Sequence, residues 1–139
     1  GHNIAKLEQH EIHGQNCQCI VHRKGATRSF PGQPVLVPGD MGTGSWLLEG
    51  MEGNRAFGSS CHGAGRLLSR SEAKSKINPE ELLTRLEGEG IIVHANTPNI
   101  LSEEAPDAYK DVDKVIELTN NAGLAKPIAR MKPLAVIKG

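Results

Sequence analysis

Apolar and polar positions alternate in short runs along this chain, and the first such pattern predicts a β-hairpin. Residues 6–12 and 17–22 each alternate in the way that half-buried strands do. Between them, Gly-Gln-Asn at 14–16 forms a sequence typical of turns. Two alternating runs on either side of a short turn predict antiparallel strands that pair with each other.

Four later runs predict further strands. Residues 34–38 and 44–48 are short strand candidates on either side of a Pro-Gly-Asp turn. Residues 91–94 form another short apolar run, and residues 133–138 have the β-branched and apolar content of a final strand. No internal repeat or low-complexity segment interrupts this pattern.

Two segments show the spacing of amphipathic helices. Asn78 and Pro79 form a cap and first-turn pair for a helix that runs to about residue 85 or 86, with Gly88 past its end. Its apolar side consists of Leu82, Leu83 and Leu86. A second helix is predicted over residues 111–121, where mostly apolar residues recur at helical spacing, and Gly123 ends it. These residues are Val112, Val115, Ile116 and Thr119. Strands and helices together predict the α+β class, with mixed sheets and helices.

The composition limits the function classes without choosing one. A chain of 139 residues can bury one core and form one domain. Sixteen basic and sixteen acidic residues give no net charge, so any contact with nucleic acid must be local. One Trp, one Tyr and two Phe are too few for a base-stacking platform, and no apolar run is long enough to predict a membrane span. Three cysteines without a secretory leader indicate reduced thiols and a cytoplasmic location.

The stretch at residues 60–70 carries the clearest candidate chemistry. His62 stands directly before Gly63, Ala64 and Gly65, a turn that is predicted to open a helix. Backbone N–H groups at such a helix start can hold a phosphoryl group, and an adjacent imidazole can attack the phosphorus. The hypothesis is nucleotidyl transfer through His62. The alternative is a turn histidine with a satisfied ring, beside glycines that serve only a sharp bend.

Six stretches, which occur in the same order as in the family, resemble the C-terminal portion of the RtcB-type RNA ligases (the tRNA-splicing ligase RtcB family). They are GHNIAK at 1–6, HRKGATRSF at 22–30, GQPVLVPGDMGTGSW at 32–46, SCHGAGRLLSRSEAK at 60–74, EEAPDAYKDVD at 103–113 and AVIKG at 135–139. These ligases use GTP to join RNA 3′-phosphate or 2′,3′-cyclic phosphate ends to 5′-hydroxyl ends, in tRNA splicing and RNA repair. The resemblance implies an RtcB-like fold in which residues 1–139 are the C-terminal part of the catalytic domain. Since the family's ligases are several times longer, we expect a fragment that lacks the upstream metal-binding part.

The resemblance also implies a guanylate site. His62 would carry GMP as a phosphoramidate, and Asn3 would approach the guanylate. Further contacts would come from a turn, from the backbone after His62 and from two side chains at the base. In that order they are Pro38, Gly39, Asp40, Met41 and Ser45; Gly63, Ala64 and Gly65; Tyr109 and Lys138. Asp40 occupies a place where many members carry serine. Without the resemblance, Tyr109 reads as a half-buried surface ring and Lys138 as a solvated chain end.

Two groups of residues are candidate metal ligands. His10, His13, Cys17 and Cys19 include the usual zinc ligand types, but Cys-x-Cys places both thiols on one face of a strand. Ordinary hairpin residues are therefore the preferred interpretation. By resemblance, His2 would help to bind catalytic Mn²⁺, which would neutralise phosphate charge. The other ligands of that site would lie upstream, so His2 cannot hold the metal alone.

The partners expected by resemblance are RNA with the ends named above and GTP, together with an N-terminal ligase segment or an archease-like activator. Arg23, Lys24 and Arg28, beside His22, form one local basic cluster, which is predicted to lie on a loop after the hairpin and to contact phosphate. The alternative is a merely solvated charge run. Two other functions stay open, an inactive fragment that needs an N-terminal partner chain and an RNA-binding module that has lost ligation.

Overall fold

The computed structural model describes residues 3–139 and confirms a mixed α+β fold. The described helices are α1 (Arg70–Lys76), α2 (Pro79–Gly88), α3 (Pro98–Glu103) and α4 (Val112–Asn121). The described strands are β1 (Asn3–Ile12), β2 (Gln15–Lys24), β3 (Ala26–Arg28), β4 (Pro34–Val37), β5 (Ser45–Gly50), β6 (Ser59–Cys61), β7 (Ile92–Ala95), β8 (Ala125–Met131) and β9 (Ala135–Lys138). Within this range, no helix has the length and apolar content needed to cross a membrane.

The predicted hairpin is present and longer than expected. Strands β1 and β2 are both ten residues long and pair antiparallel, with Asn3 opposite Lys24 at the open end. The turn between them consists of His13 at φ 51° and Gly14 at φ 75°, so the predicted turn at 14–16 is wrong. A two-residue turn with positive φ at both positions suits the right-handed twist of the strands, and this preference moves the turn towards His13.

A three-stranded sheet and α4 enclose the first of two apolar cores. Strand β5 lies between β4 and β8 and is antiparallel to both. The buried residues of this core are Val35, Val37, Leu48, Val112, Ile116 and Ala125. The two predicted strands at 34–38 and 44–48 and the predicted helix at 111–121 are confirmed within a residue or two at their ends. Strand β8 was not predicted, because every residue after Ala125 is exposed and no alternation marks the strand.

The second core lies between helices α2 and α3 and strand β7. Its buried residues are Met41, Leu82, Leu86, Ile91, Leu101 and Ala105. Beside it, β7 and β9 pair in parallel, which confirms both predicted strands, and the register places Ala95 opposite Lys138. A parallel pair needs a long crossover, and here it returns the last strand to the side of β7.

The backbone after His62 is not the start of a helix, contrary to the prediction. Helix α1 begins only at Arg70, after a capping box in which Ser69 and Glu72 each accept a hydrogen bond from the other's backbone N–H. Between His62 and α1, Gly65 turns the chain with φ 79°, and Arg66 forms an isolated antiparallel bridge with Tyr109. A turn and this long-range bridge therefore shape the segment, and no helix begins between His62 and Arg70.

Helix α2 begins where the sequence predicts but ends later. Gly88 is its last residue, and the predicted position of Gly88 beyond the helix is wrong. The chain leaves the helix through Glu89 and then Gly90, which adopts φ 81°. Gly90 fulfils the role expected of Gly88, because a left-handed residue after the last turn is most readily a glycine.

The cap of α2 gives a first testable prediction. Asn78 Oδ1 accepts hydrogen bonds from the backbone N–H of Glu80 at 2.9 Å and of Glu81 at 3.4 Å. Replacing Asn78 with alanine leaves both donors without this acceptor and should lower the free energy of unfolding by about 1 kcal/mol. Urea denaturation measures the change. Asn121→Ala in the exposed last turn of α4 is the matched control, and an equal loss there would contradict the capping role.

Candidate functional site

One cavity of about 420 Å³ collects most of the residues expected at the guanylate. Its walls come from the turn after β4, the segment after β6, the stretch before α4, and the end of β9. The lining residues are Gly25, Pro38, Gly39, Asp40, Met41, His62, Gly63, Ala64, Gly65, Arg66, Glu104, Tyr109 and Lys138. Ten residues named from the sequence are therefore brought together. A cavity of this size lies in the range of small-molecule sites, about 300 to 1,000 Å³.

The turn after β4 is shaped by Asp40. Its Oδ1 accepts hydrogen bonds from the N–H of Gly42 at 2.8 Å and of Thr43 at 2.7 Å, and its Oδ2 accepts one from the Thr43 hydroxyl. An aspartate that accepts from the backbone two and three residues ahead holds a tight turn. In this structure the Asp40 carboxylate is thus occupied by its own turn.

Ser45, expected among the contacts, stands behind the cavity wall. Its Oγ accepts a hydrogen bond from the Gly39 N–H at 3.2 Å, and it is not among the lining residues. The two glycines of the turn also approach closely. A Cβ built on Gly39 would come within 1.6 Å of the Gly44 carbonyl oxygen. Position 39 therefore requires a residue without a side chain.

That close approach predicts the outcome of a single substitution. Gly39→Ala should distort the Pro38–Met41 wall and cost more than about 3 kcal/mol of stability, because the neighbouring atoms are backbone and cannot move aside. Thermal unfolding measures the loss. Gly88→Ala is the control: a Cβ on this helical glycine meets nothing within 4 Å, so we expect a small gain from helix propensity. Equal melting temperatures for the two variants would contradict the assignment.

His62 follows directly after β6, a short strand that pairs with β3 through Cys61 opposite Ala26. The Cys61 side chain packs on the first core, and the Thr119 hydroxyl of α4 lies 3.4 Å from its sulfur. On the other side, a Cβ on Gly63 would lie 3.5 Å from the Pro38 carbonyl oxygen. The position of His62 in the wall is therefore set by a strand end and by the close approach of two backbone segments.

Arg66 and Glu104 also line the cavity, and sequence reasoning did not single them out. The Tyr109 hydroxyl donates to the Glu104 carboxylate and accepts from Arg66 Nη1 at 2.8 Å. The Arg66 guanidinium lies 4.7 Å from the Tyr109 ring centroid and donates to the Glu103 carbonyl at 2.5 Å. Burial and the Glu104 carboxylate raise the pKa of the Tyr109 phenol above its usual 10, so it stays a hydrogen-bond donor at neutral pH.

Lys138 extends this network along the cavity wall. Lys138 Nζ lies 4.0 Å from Glu104 Oε2, so β9 brings a cation beside the carboxylate that holds the tyrosine. Arg66 and Glu104 both occur in stretches that carry the resemblance, SCHGAGRLLSRSEAK and EEAPDAYKDVD. That membership was the available signal, and a charged pair facing an aromatic residue is apparent only after folding.

The open end of the hairpin stands next to the cavity. Asn3 pairs with Lys24, and the next residue, Gly25, lines the cavity. Asn3 Oδ1 lies 2.5 Å from His22 Nε2, so the amide is already engaged by a neighbour on β2. His2, the expected metal ligand, lies outside the described residues.

The predicted basic loop is wrong in its placement. Arg23 lies in β2 and is 2% exposed, and its guanidinium donates to Glu8 and Ser59 inside the protein, so it is too buried to contact RNA. The charged Arg23 side chain can be buried here because the Glu8 carboxylate on β1 neutralises its guanidinium. Lys24 is exposed at the end of β2, and Arg28 in β3 has a side chain 45% exposed. The basic cluster on the surface is therefore smaller than the sequence indicated.

The residues of the zinc hypothesis fall on the hairpin. The His10 ring contacts Phe30 and Phe57 and lies 3.2 Å from Glu8, while His13 occupies the turn. Cys17 faces His10 across the pair. Among residues 3–139, no group of three or more His, Cys, Asp or Glu side chains could hold a metal ion.

Comparison with known proteins identifies the family of the chain. Residues 1–139 match the family model of tRNA-splicing ligase RtcB. The chain is 50% identical over 153 residues to the tRNA-splicing ligase RtcB of Thermococcus kodakarensis, covering 99% of this chain and 32% of that protein. It is 48% identical over 151 residues to the RNA-splicing ligase RtcB of Mycobacterium tuberculosis, covering 99% of this chain and 35% of the relative. The chain thus spans about a third of the length of these relatives and matches their C-terminal part. A match along the whole chain shows that the chain belongs to the RtcB family of RNA ligases.

Proposed function

We propose that this chain supplies the guanylate-binding part of a GTP-dependent RNA ligase. The ligase would join RNA 3′-phosphate or 2′,3′-cyclic phosphate ends to 5′-hydroxyl ends, in tRNA splicing and RNA repair. The observation that carries the proposal is the cavity, where His62 stands with the Pro38 turn, Tyr109 and Lys138 from distant parts of the chain. Membership of the RtcB family supports the ligase class.

In the proposed reaction, His62 is the nucleophile. A neutral ring nitrogen attacks the α-phosphorus of GTP, a P–N bond forms, and the P–O bond to the leaving pyrophosphate breaks. An oxygen of the RNA 3′-phosphate then attacks the phosphorus of the guanylate and releases His62. Finally, the 5′-hydroxyl of the second RNA end attacks the activated 3′-phosphate, loses its proton and expels GMP. A cyclic phosphate end takes up one water before the second step.

The other wall residues have roles in binding. We assign backbone contacts with the guanylate phosphate to Gly63, Ala64 and Gly65, where the absence of bulky side chains lets a ligand approach the chain. Tyr109 offers a ring face to the base, and Lys138 can donate to a purine acceptor. We also assign contacts with RNA phosphates to the exposed cations Lys24, which precedes the cavity residue Gly25, and Arg28; such contacts would orient a strand without reading its sequence.

The proposed metal is not accounted for by the described residues. The resemblance assigns Mn²⁺ to His2, and residues 3–139 offer no ligand cluster that would complete such a site. No step above is therefore assigned to the metal. We propose that the remaining ligands come from a segment upstream in the family's order.

Exposed apolar residues support the need for that segment. Leu36 of the three-stranded sheet is 66% exposed, Ile20 of the hairpin is 76% exposed, and Ile137 of β9 is 80% exposed. In the hairpin, Ile20 stands opposite Leu7, which is 62% exposed, so two exposed apolar side chains lie next to each other there. Relatives about three times as long would have the chain needed to cover them.

The test is covalent labelling with GTP. The chain is incubated with α-³²P-GTP and Mn²⁺, alone and with the separately produced upstream segment of the Thermococcus relative, and then run on denaturing electrophoresis. We expect an acid-labile, alkali-stable label on this chain only when the segment is present. Labelling without the segment would contradict the need for a partner, and no label under either condition would overturn the ligase proposal.

A further inference from the structure

The most deeply buried charge pair in the described chain links the hairpin to the segment that carries His62. Arg23 of β2 and Glu8 of β1 have side chains that are 2% and 3% exposed. The guanidinium donates to both carboxylate oxygens, from Nη1 to Oε1 at 2.9 Å and from Nη2 to Oε2 at 2.8 Å. This fork geometry is specific to arginine.

Arg23 also donates hydrogen bonds to residues outside the hairpin. Nε donates to Ser59 Oγ at 2.8 Å, and Nη2 also donates to the carbonyls of Phe57 at 2.7 Å and Gly58 at 3.2 Å. Phe57 adopts φ 51°, a conformation rare for a residue with a ring. Arg23 thus binds the outer side of a tight turn that leads directly into β6 and, one residue later, to His62.

Other contacts concentrate at the same place. The His10 ring packs against Phe30 at 5.7 Å and Phe57 at 5.2 Å between centroids. Arg28 Nε lies 3.2 Å from Glu8 Oε1 and comes from β3, the strand that pairs with β6. The hairpin is therefore joined to the rest of the domain through the surroundings of Glu8.

We propose that Arg23, clamped by Glu8, is a positioning residue that sets the distance between the open end of the hairpin and His62. The open end of the hairpin carries Asn3 beside the cavity, and the contacts of Arg23 join the hairpin to the turn before β6; we call these contacts the joint. A displacement at the joint therefore moves Asn3 relative to His62, which follows β6. Arg23 is not among the residues that line the cavity, so its role is one of positioning. The inference rests on the proposed function for its catalytic meaning, whereas the coupling itself is a property of the fold.

The experiment combines a spectroscopic and a kinetic measurement. Arg23→Lys keeps a positive charge for Glu8 but loses the fork. Ser59→Ala removes the acceptor of Nε and the hydrogen bond that Ser59 Oγ donates to the Phe57 carbonyl at 3.2 Å, and it leaves the Arg23–Glu8 pair intact. Lys126→Met, in an exposed ion pair with Glu49, is the control. Ring ¹H–¹³C NMR of His62 and of His22, which contacts Asn3, is recorded on each folded chain. The rate constant and the KM for GTP in His62 labelling are then measured with the upstream segment present.

We expect Arg23→Lys to shift both ring signals. It should also lower the labelling rate constant by about tenfold or more with little change in KM, because GTP still binds but the reacting groups are no longer correctly placed. Ser59→Ala should act in the same direction but less, and Lys126→Met should leave both measurements unchanged. If Arg23→Lys does not fold, Ser59→Ala decides. Folded variants with wild-type ring signals and rates would overturn the proposal. If the wild type itself is not labelled, the proposed function is overturned. The ring signals of His62 and His22 in the variants then decide whether the contacts of Arg23 couple Asn3 to His62.

Discussion

Replacing His62 with alanine should lower the covalent labelling of this chain by GTP more than about a thousandfold, to background. The reason is chemical, since alanine has no nitrogen to form the P–N bond. Binding of GTP itself should survive, because the turn around Asp40, the backbone of Gly63, Ala64 and Gly65, Tyr109 and Lys138 remain in place. Labelling with α-³²P-GTP and Mn²⁺ in the presence of the upstream segment, and fluorescence-detected nucleotide binding, measure the two effects separately.

The matched control is another histidine. His13 occupies the hairpin turn with φ 51°, and asparagine tolerates that conformation, so His13→Asn removes an imidazole without straining the chain. Labelling of this variant should equal that of the wild type. A labelled band that persists in the His62→Ala chain would assign the nucleophile to another residue, and loss of GTP binding together with the label would show that the cavity had collapsed.

Glu8 should make the stability of the domain depend on pH in acid. The Arg23 guanidinium, helped by His10, holds the pKa of Glu8 at about 2, below the usual 4.5, although burial acts in the opposite direction. A carboxyl whose pKa is lowered on folding contributes stability above pH 4.5, and the contribution is lost as the pH falls from 4.5 to 2. The shift corresponds to a contribution on the order of 3 kcal/mol.

The measurement compares Glu8→Gln with the wild type by urea denaturation from pH 7 to pH 2. The variant should be less stable at pH 7, and the difference should shrink through pH 4.5 and vanish near pH 2. Other carboxyls with lowered pKa also titrate in this window, so only the difference isolates Glu8. They are Glu72, Glu103, Asp107 and Asp113. Glu49→Gln, in an exposed pair with Lys126, is the control. A difference that stays constant with pH would contradict the role of the carboxylate charge.

The cavity around His62 shows how far prediction from sequence reached. Pro38, His62, Tyr109 and Lys138 were named from the resemblance, and the structure brings them to one cavity. The helix predicted after His62 is absent, because a glycine turn and the Arg66–Tyr109 bridge occupy that segment. Two cavity residues, Arg66 and Glu104, were not predicted, since neither stands out among the charged residues until its partners are known.

Local interactions determined what the sequence could predict alone. The hairpin alternates because neighbouring side chains of a strand face opposite sides. Helices α2 and α4 begin directly after Asn78 and Asp111, because each of these side chains accepts from backbone N–H groups two and three residues ahead. Such signals need only a few adjacent residues. They therefore specified most strands, two of the helices and the α+β class before any packing was known.

Only the tertiary structure decided which residues meet. Arg23 and Ser59 are 36 positions apart, and Arg66 and Tyr109 are 43 apart, yet each pair forms a hydrogen bond. Arg23 looks like a surface cation in the sequence, and its burial depends on a carboxylate from β1 and on carbonyls from a distant turn. Strand β8 likewise exists through its pairing with β5 and not through a pattern of its own. Contacts of this kind depend on the free energy of the whole packed arrangement, which no local pattern encodes.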